Sequence, residues 1–151
     1  LAEIAISTAR VVRLFGFDPK VAFVSHSTFG QPLTSRTKHI RNAVDILKDR
    51  KVDFEFDGDM QPDVALNPEY EELYPFSKIV GKANILIMPG QHSAAISYKM
   101  MKTFGDTKVI GPLLIGLGLP IEIAPLRSST SELINLASIA AYSADVIDYK
   151  K

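Results

Sequence analysis

The chain has 151 residues, enough for one domain with a sizeable core. Seventeen basic and seventeen acidic side chains cancel, and no run of like charge exceeds a few residues, which argues against nucleic acid or an anionic membrane as the main partner. Cysteine is absent, excluding disulfides and thiolate metal sites; no apolar run approaches a membrane span and no signal-peptide pattern is visible, a profile that fits a cytoplasmic protein.

Residues 1–15 read as an amphipathic helix already under way, with Ile4, Thr8, Val11, Val12 and Phe15 on one face and Glu3, Arg10 and Arg13 off it. The first residue is Leu, and no capping residue precedes the helix. Residues 1–151 are therefore expected to be a single domain excised from a longer chain. Gly16, Asp18 and Pro19 make a turn into a short apolar strand at 21–24, followed by a polar loop at 25–34. Ser35 caps a helix running to about residue 51, whose stripe is Ile40, Ala43, Val44 and Leu47; Lys38, Arg41, Asp45 and Lys48 take the solvated side. A strand is predicted at 53–56 by alternation and aromatic content. The irregular stretch 57–82 has room for one or two short helices.

Residues 85–88 are apolar on both faces, as a central parallel strand should be, and Pro89 and Gly90 break the strand ahead of a helix at 91–104. That helix start offers free N–H groups and a positive dipole end over the strand tip. Further strands are predicted at 109–115 and 121–124, and a long alanine-rich helix from Ser129 to about Ile147, nearly apolar around its middle. Strands alternating with helices predict an α/β fold with a mostly parallel sheet and helices on both faces, three layers in all. Ligands of such sheets bind beyond the carboxyl ends of the strands. Four places qualify: Ser25-His26-Ser27-Thr28, Asp57-Gly58-Asp59, Pro89-Gly90-Gln91-His92 and Pro125-Leu126-Arg127-Ser128.

The hydroxyls of Ser25, Ser27 and Thr28 can hold a phosphate or the amides of a pantetheine arm, or can simply satisfy their own backbone. The loop is neither a Walker A loop nor a dinucleotide fingerprint. Asp57 and Asp59 suit a turn better than a metal, because no further carboxylate or histidine stands at ligand spacing. His39 reads as solvated. His26 and His92 both sit at strand tips, but no Gly-x-Ser-x-Gly elbow supports a hydrolase triad. Lys99, two turns into its helix, can reach an anion over the strand tips or stay in solvent.

Several segments resemble, in order, those of phosphate acetyltransferases and of the acetyltransferase-like C-terminal domain of large NADP-dependent malic enzymes. They are Leu1-Ala2-Glu3-Ile4-Ala5, the strand and loop at 21–30, Asp57-Gly58-Asp59-Met60-Gln61-Pro62-Asp63-Val64-Ala65, Gly81-Lys82-Ala83-Asn84, Ile96-Ser97-Tyr98-Lys99, Gly111-Pro112 with Gly116, and Pro120. The resemblance covers essentially the whole chain and implies part of an isocitrate/isopropylmalate dehydrogenase-like transferase fold. In the transferases it implies a Ser-Arg pair after the last strand and, a few residues on, an Asp that takes the proton from the coenzyme A thiol. Here Pro125 and Leu126 stand where Ser and Arg belong and Glu132 where Asp belongs; a one-residue insertion would bring Arg127 into the arginine position. The family's Lys is Lys99 and its next Arg is Thr103.

The resemblance thus implies a domain without acyltransferase activity, responsive to acetyl-CoA and used for oligomerisation, at least as a dimer, within a cytoplasmic malic enzyme. An upstream malate-decarboxylating part of the same chain would hold NADP and a divalent metal. No metal site is expected in the domain itself. Effector contacts are expected at Ser25, Ser27, Thr28, His92, Lys99 and Arg127. The alternatives are the C-terminal part of a genuine phosphate acetyl- or butyryltransferase, and a structural dimerisation module without ligand.

Overall fold

The computed structural model describes residues 1–105 and 108–146, which fall into two compact units, Leu1–Ser97 and Tyr98–Lys151. The first unit holds α1 (Ala2–Leu14), β1 (Lys20–Val24), α2 (Ser35–Asp49), β2 (Glu55–Met60), α3 (Pro62–Leu66), a 3₁₀ turn (Pro68–Glu72) and β3 (Ile85–Ile87). The boundary between the units falls inside α4 (Gln91–Phe104), and the second unit continues to α5 (Thr130–Val146).

Three parallel strands form the sheet in the order β2-β1-β3. A chain that steps from β1 to β2 on one side and then crosses to β3 on the other reverses direction. Right-handed crossovers then put the two connecting helices on opposite faces. The packing follows this pattern. Val21 and Phe23 of β1 join Phe56, Ile85 and Ile87 in a core covered by α1 and α2, while Ala22 joins Met60, Ala65, Ile79 and Ala83 on the face of α3. The α/β class with helices on both faces is thus found as predicted. Asn84 stitches the start of the sheet: it accepts from Lys20 N–H through its side chain (2.8 Å) and donates its own N–H to Lys20 O (3.0 Å).

Local chemistry explains where the elements depart from expectation. In α1 the buried positions are Ala2, Ala5 and Ala9, while Ile4 and Phe15 are exposed. The helix meets the sheet chiefly through its smallest side chains, with Ile6 and Val12 packed beside them, while Ile4 and Phe15 of the predicted stripe turn outward. The cap of α2 is Thr34, not Ser35: Thr34 Oγ1 accepts from Thr37 N–H (3.2 Å) and Thr37 Oγ1 accepts from Thr34 N–H (2.7 Å), a reciprocal capping box. The stripe Ile40, Ala43, Val44 and Leu47 is buried as predicted. Strand β2 begins and ends later than predicted and takes in Asp57, Gly58 and Asp59, which were expected to form a turn.

In the second unit, neither 109–115 nor 121–124 forms a strand. Both keep an alternating pattern of exposure over part of their length, but among the described residues no strand pairs with either, and Pro112 and Pro120 lack an N–H to donate. Leu114 N–H is instead bonded by the Glu122 carboxylate at 3.2 Å. Helix α5 starts at Thr130, with Leu136 its buried residue and Leu133 and Ile134 exposed; its expected last residue, Ile147, lies outside the described residues. Among the described residues no helix is long and apolar enough to cross a membrane.

Candidate functional site

The strand order places the switch point between β1 and β3, so the loop after β1 is where a ligand of such a sheet is expected. The turn is tight. Thr28 and Gln31 exchange both backbone hydrogen bonds (3.3 and 3.1 Å), and the residues between them, Phe29 and Gly30, have φ of 49° and 84°. This is the two-residue primed turn, in which Gly30 is at ease and Phe29 occupies a region that bulky residues avoid. Packing holds Phe29 there: its ring lies 5.5 Å from that of Tyr74 and 4.8 Å from that of Phe76.

Asp59 fastens the loop from the neighbouring strand. The register runs Phe23↔Gly58 and then Val24↔Met60, so Asp59 is the extra residue of a bulge. A bulge re-aims side chains. Here it turns Asp59 to the loop and moves Met60 to the α3 face. Asp59 Oδ2 accepts from Ser27 Oγ (2.6 Å) and Gly30 N–H (3.3 Å), and its carbonyl accepts from Phe29 N–H (2.6 Å). Its Oδ1 is buried without a partner among the described residues. Gly58 makes the approach possible: with φ of 147°, a Cβ there would lie 2.7 Å from Phe23 O. Asp57 accepts from Gly58 N–H (2.9 Å) and from Lys78 N–H (2.8 Å), tying the 77–80 segment to the strand. Both carboxylates therefore lie buried within β2 and serve as structural anchors. Among the described residues no cluster of three or more His, Asp or Glu side chains could hold a metal ion.

The predicted hydroxyls divide by role. Ser27 is fully buried and its O–H is committed to Asp59. Ser25 Oγ accepts from Ser27 N–H (3.2 Å) and Thr28 Oγ1 from Gln61 N–H (3.2 Å), which leaves the O–H of each uncommitted among the described residues. Gln61 also donates its side-chain N–H to His26 O (3.3 Å), and the His26 side chain is exposed. His92 is exposed in the first turn of α4. Two groups at this loop escaped the sequence reading. Asp59 looked like a turn residue, and Arg41 looked merely solvated. Arg41 is exposed, but its guanidinium lies over Gly30, where a Cβ would come within 2.4 Å of Nη1.

In the second unit, Glu132 is spoken for. It sits in the first turn of α5, where Oε2 accepts from Ser129 N–H (2.8 Å) and Ser129 Oγ (3.0 Å), and Glu132 N–H donates back to Ser129 Oγ (3.3 Å). Oε1 pairs with Lys102 Nζ at 3.0 Å. The Ser129 backbone bond, followed by the Lys102 and Ser129 side-chain bonds, lowers the Glu132 carboxyl from its ordinary 4.5 to about 2, and the same pair raises the Lys102 ammonium. Pro125, Leu126 and Arg127 are all exposed; Pro125 O accepts from Ser128 N–H (3.0 Å) and Ser128 Oγ (2.8 Å). Lys99 is exposed on α4.

Residues 1–141 match the phosphate acetyl/butaryl transferase family. Over 144 residues the chain is 49% identical to an NADP-dependent malic enzyme of Rhizobium meliloti, covering 95% of this chain and 19% of that one. A phosphate acetyltransferase of Bacillus subtilis is 34% identical over 145 residues, covering 95% and 45%. The fold superposes on a phosphotransacetylase from Streptococcus pyogenes with a TM-score of 0.89 at 35% identity, covering 95% of this chain and 44% of that one. The chain thus spans about a fifth of the malic enzyme and less than half of either transferase.

Proposed function

The chain belongs to the phosphate acetyl/butaryl transferase family, and from that premise we propose that it is a regulatory and oligomerisation domain of an NADP-dependent malic enzyme, responsive to acetyl-CoA and without acyltransferase activity of its own. The observation that carries this reading is the state of the position where the family's proton acceptor belongs. A general base works best with a pKa near the working pH, and Glu132 is held at about 2 by Ser129 and Lys102. Pro125 and Leu126 bring no hydroxyl or guanidinium to stabilise developing charge, support that elsewhere lowers barriers by about 3–4 kcal/mol per donor. The partner would be the malate-oxidising part of the same cytoplasmic polypeptide, where NADP and the divalent metal belong. Acyl-CoA is assigned to the loop at 25–30, where Ser25 and Thr28 have O–H groups to offer.

Three assays test the proposal. Formation of acetyl phosphate from acetyl-CoA and phosphate should stay at background in the full-length protein; clear turnover favours the second reading, a genuine transferase, which the 34% identity to the Bacillus subtilis enzyme keeps in play. Acetyl-CoA should shift malate oxidation by a coupling of about 1–3 kcal/mol, and malate should change acetyl-CoA affinity by the same factor. Absence of any acetyl-CoA binding in calorimetry would leave only a structural dimerisation module.

A further inference from the structure

We infer that Arg41, seated on Gly30, forms a phosphate-receiving subsite for the nucleotide end of a coenzyme A ester at the β1 loop; the assignment rests on the acyl-CoA reading above. Three observations carry it. First, the guanidinium is seated by shape: Gly30 leaves a space in which any Cβ would lie 2.4 Å from Nη1 and 3.7 Å from Cζ of Arg41. Second, the guanidinium is left without an acceptor. Asp45, one turn along α2, pairs with Lys48 at 2.8 Å. Among the described residues Arg41 has no acceptor, as is also true of Arg10, Arg36 and Arg127, whereas Arg13 is paired with Asp53 (3.0 Å) and Arg50 with Glu3 (2.5 Å). Third, its location is that of a ligand site, on the turn that follows the central strand.

The chemistry of the ligand follows from the donors. A guanidinium presents five N–H groups in a planar fork that matches a phosphate bidentately; Thr28, which opens the turn, and Ser25, which follows the strand, carry uncommitted O–H groups in the same loop. The one carboxylate at the turn, Asp59, faces Gly30 from the buried side and is bonded to Ser27 and to Gly30 N–H. Among the described residues it forms no hydrogen bond or ion pair with Arg41, so the guanidinium donors stay available to an anion.

The test is calorimetry on the full-length protein with three probes: acetyl-CoA, adenosine 3′,5′-bisphosphate and inorganic phosphate. Arg41→Gln, an exposed substitution that leaves the fold alone, should weaken acetyl-CoA and the bisphosphate alike by about tenfold to a hundredfold, the range for a hydrogen-bonded charge. Arg41→Lys should fall between, because it keeps the charge and loses the fork. The deficit should shrink as salt rises. If acetyl-CoA binds parent and Arg41→Gln equally, the subsite is refuted while the acyl-CoA reading stands. If the parent binds the bisphosphate through Arg41 but not acetyl-CoA, the subsite stands and the acyl-CoA reading falls. Inorganic phosphate binding as tightly as the bisphosphate would overturn the nucleotide assignment.

Discussion

Removing the Ser27–Asp59 contact tests how much of the site loop's hold on the adjacent strand rests on one of its polar bonds. The bond is short (2.6 Å) and both residues are fully buried, so losing it leaves a buried polar group unsatisfied, at about 1–3 kcal/mol. Ser27→Ala should cost that much. Asp59→Ala orphans two buried donors, Ser27 Oγ–H and Gly30 N–H, at about 1–3 kcal/mol each, offset in part because the unpartnered Oδ1 disappears too. A net loss of about 2–5 kcal/mol is expected. In the double variant the serine donor no longer exists to be orphaned. Its cost should fall short of the sum of the singles by about 1–3 kcal/mol. Asp59→Asn, which keeps an acceptor for Ser27 but not the charge, should lie between parent and Asp59→Ala. Urea unfolding followed by far-ultraviolet circular dichroism reads each value as a shift in midpoint at constant slope. Additivity within about 0.5 kcal/mol would refute the reasoning, because it would mean the two side chains do not depend on one another.

Gly58→Ala should destabilise the first unit by about 3 kcal/mol or more, since the new Cβ meets Phe23 O at 2.7 Å in a backbone conformation that side chains resist; a urea midpoint within error of the parent would contradict the close approach. Thr34→Ala removes one half of the α2 capping box and should cost about 1 kcal/mol, again read by urea unfolding. Glu132 should titrate near 2 in a carbon-detected NMR titration, and Lys102→Ala should move it upward. Because its folded pKa lies below the ordinary 4.5, its contribution to stability is complete above pH 4.5 and is lost as the pH falls from there toward 2. A midpoint near 4.5 in the parent would remove the argument that Glu132 is a poor base.

Elements whose apolar pattern serves a single buried face were legible in the sequence. The α2 stripe at Ile40, Ala43, Val44 and Leu47 is one case; the strands β1 and β3 were legible for a different reason, as short apolar runs covered on both faces. Pattern failed where packing distance mattered more than hydrophobicity. Helix α1 buries Ala2, Ala5 and Ala9 because small side chains let it lie against the sheet, and a larger, more hydrophobic stripe drew the reading away. It failed again at 109–115 and 121–124, where strand-like sequence lacks a paired neighbour, because a strand is a relation between two segments. At the site, the loop after β1 was placed from sequence alone, while the groups that shape it were not. Asp59 sits 32 residues from Ser27, and Arg41 reaches Gly30 from another element; neither separation leaves a periodic trace.

The bulge at Asp59 has a practical bearing on protein engineering. The hydroxyl loop is shaped in large part by a residue of a different strand, and that residue reaches it through a glycine that only a bare backbone can replace. Transplanting residues 25–31 into another parallel sheet would therefore carry the hydroxyls but not their conformation. A graft that keeps the native turn must bring Gly58 and Asp59 with it, so the smallest portable unit here is a pair of adjacent strands.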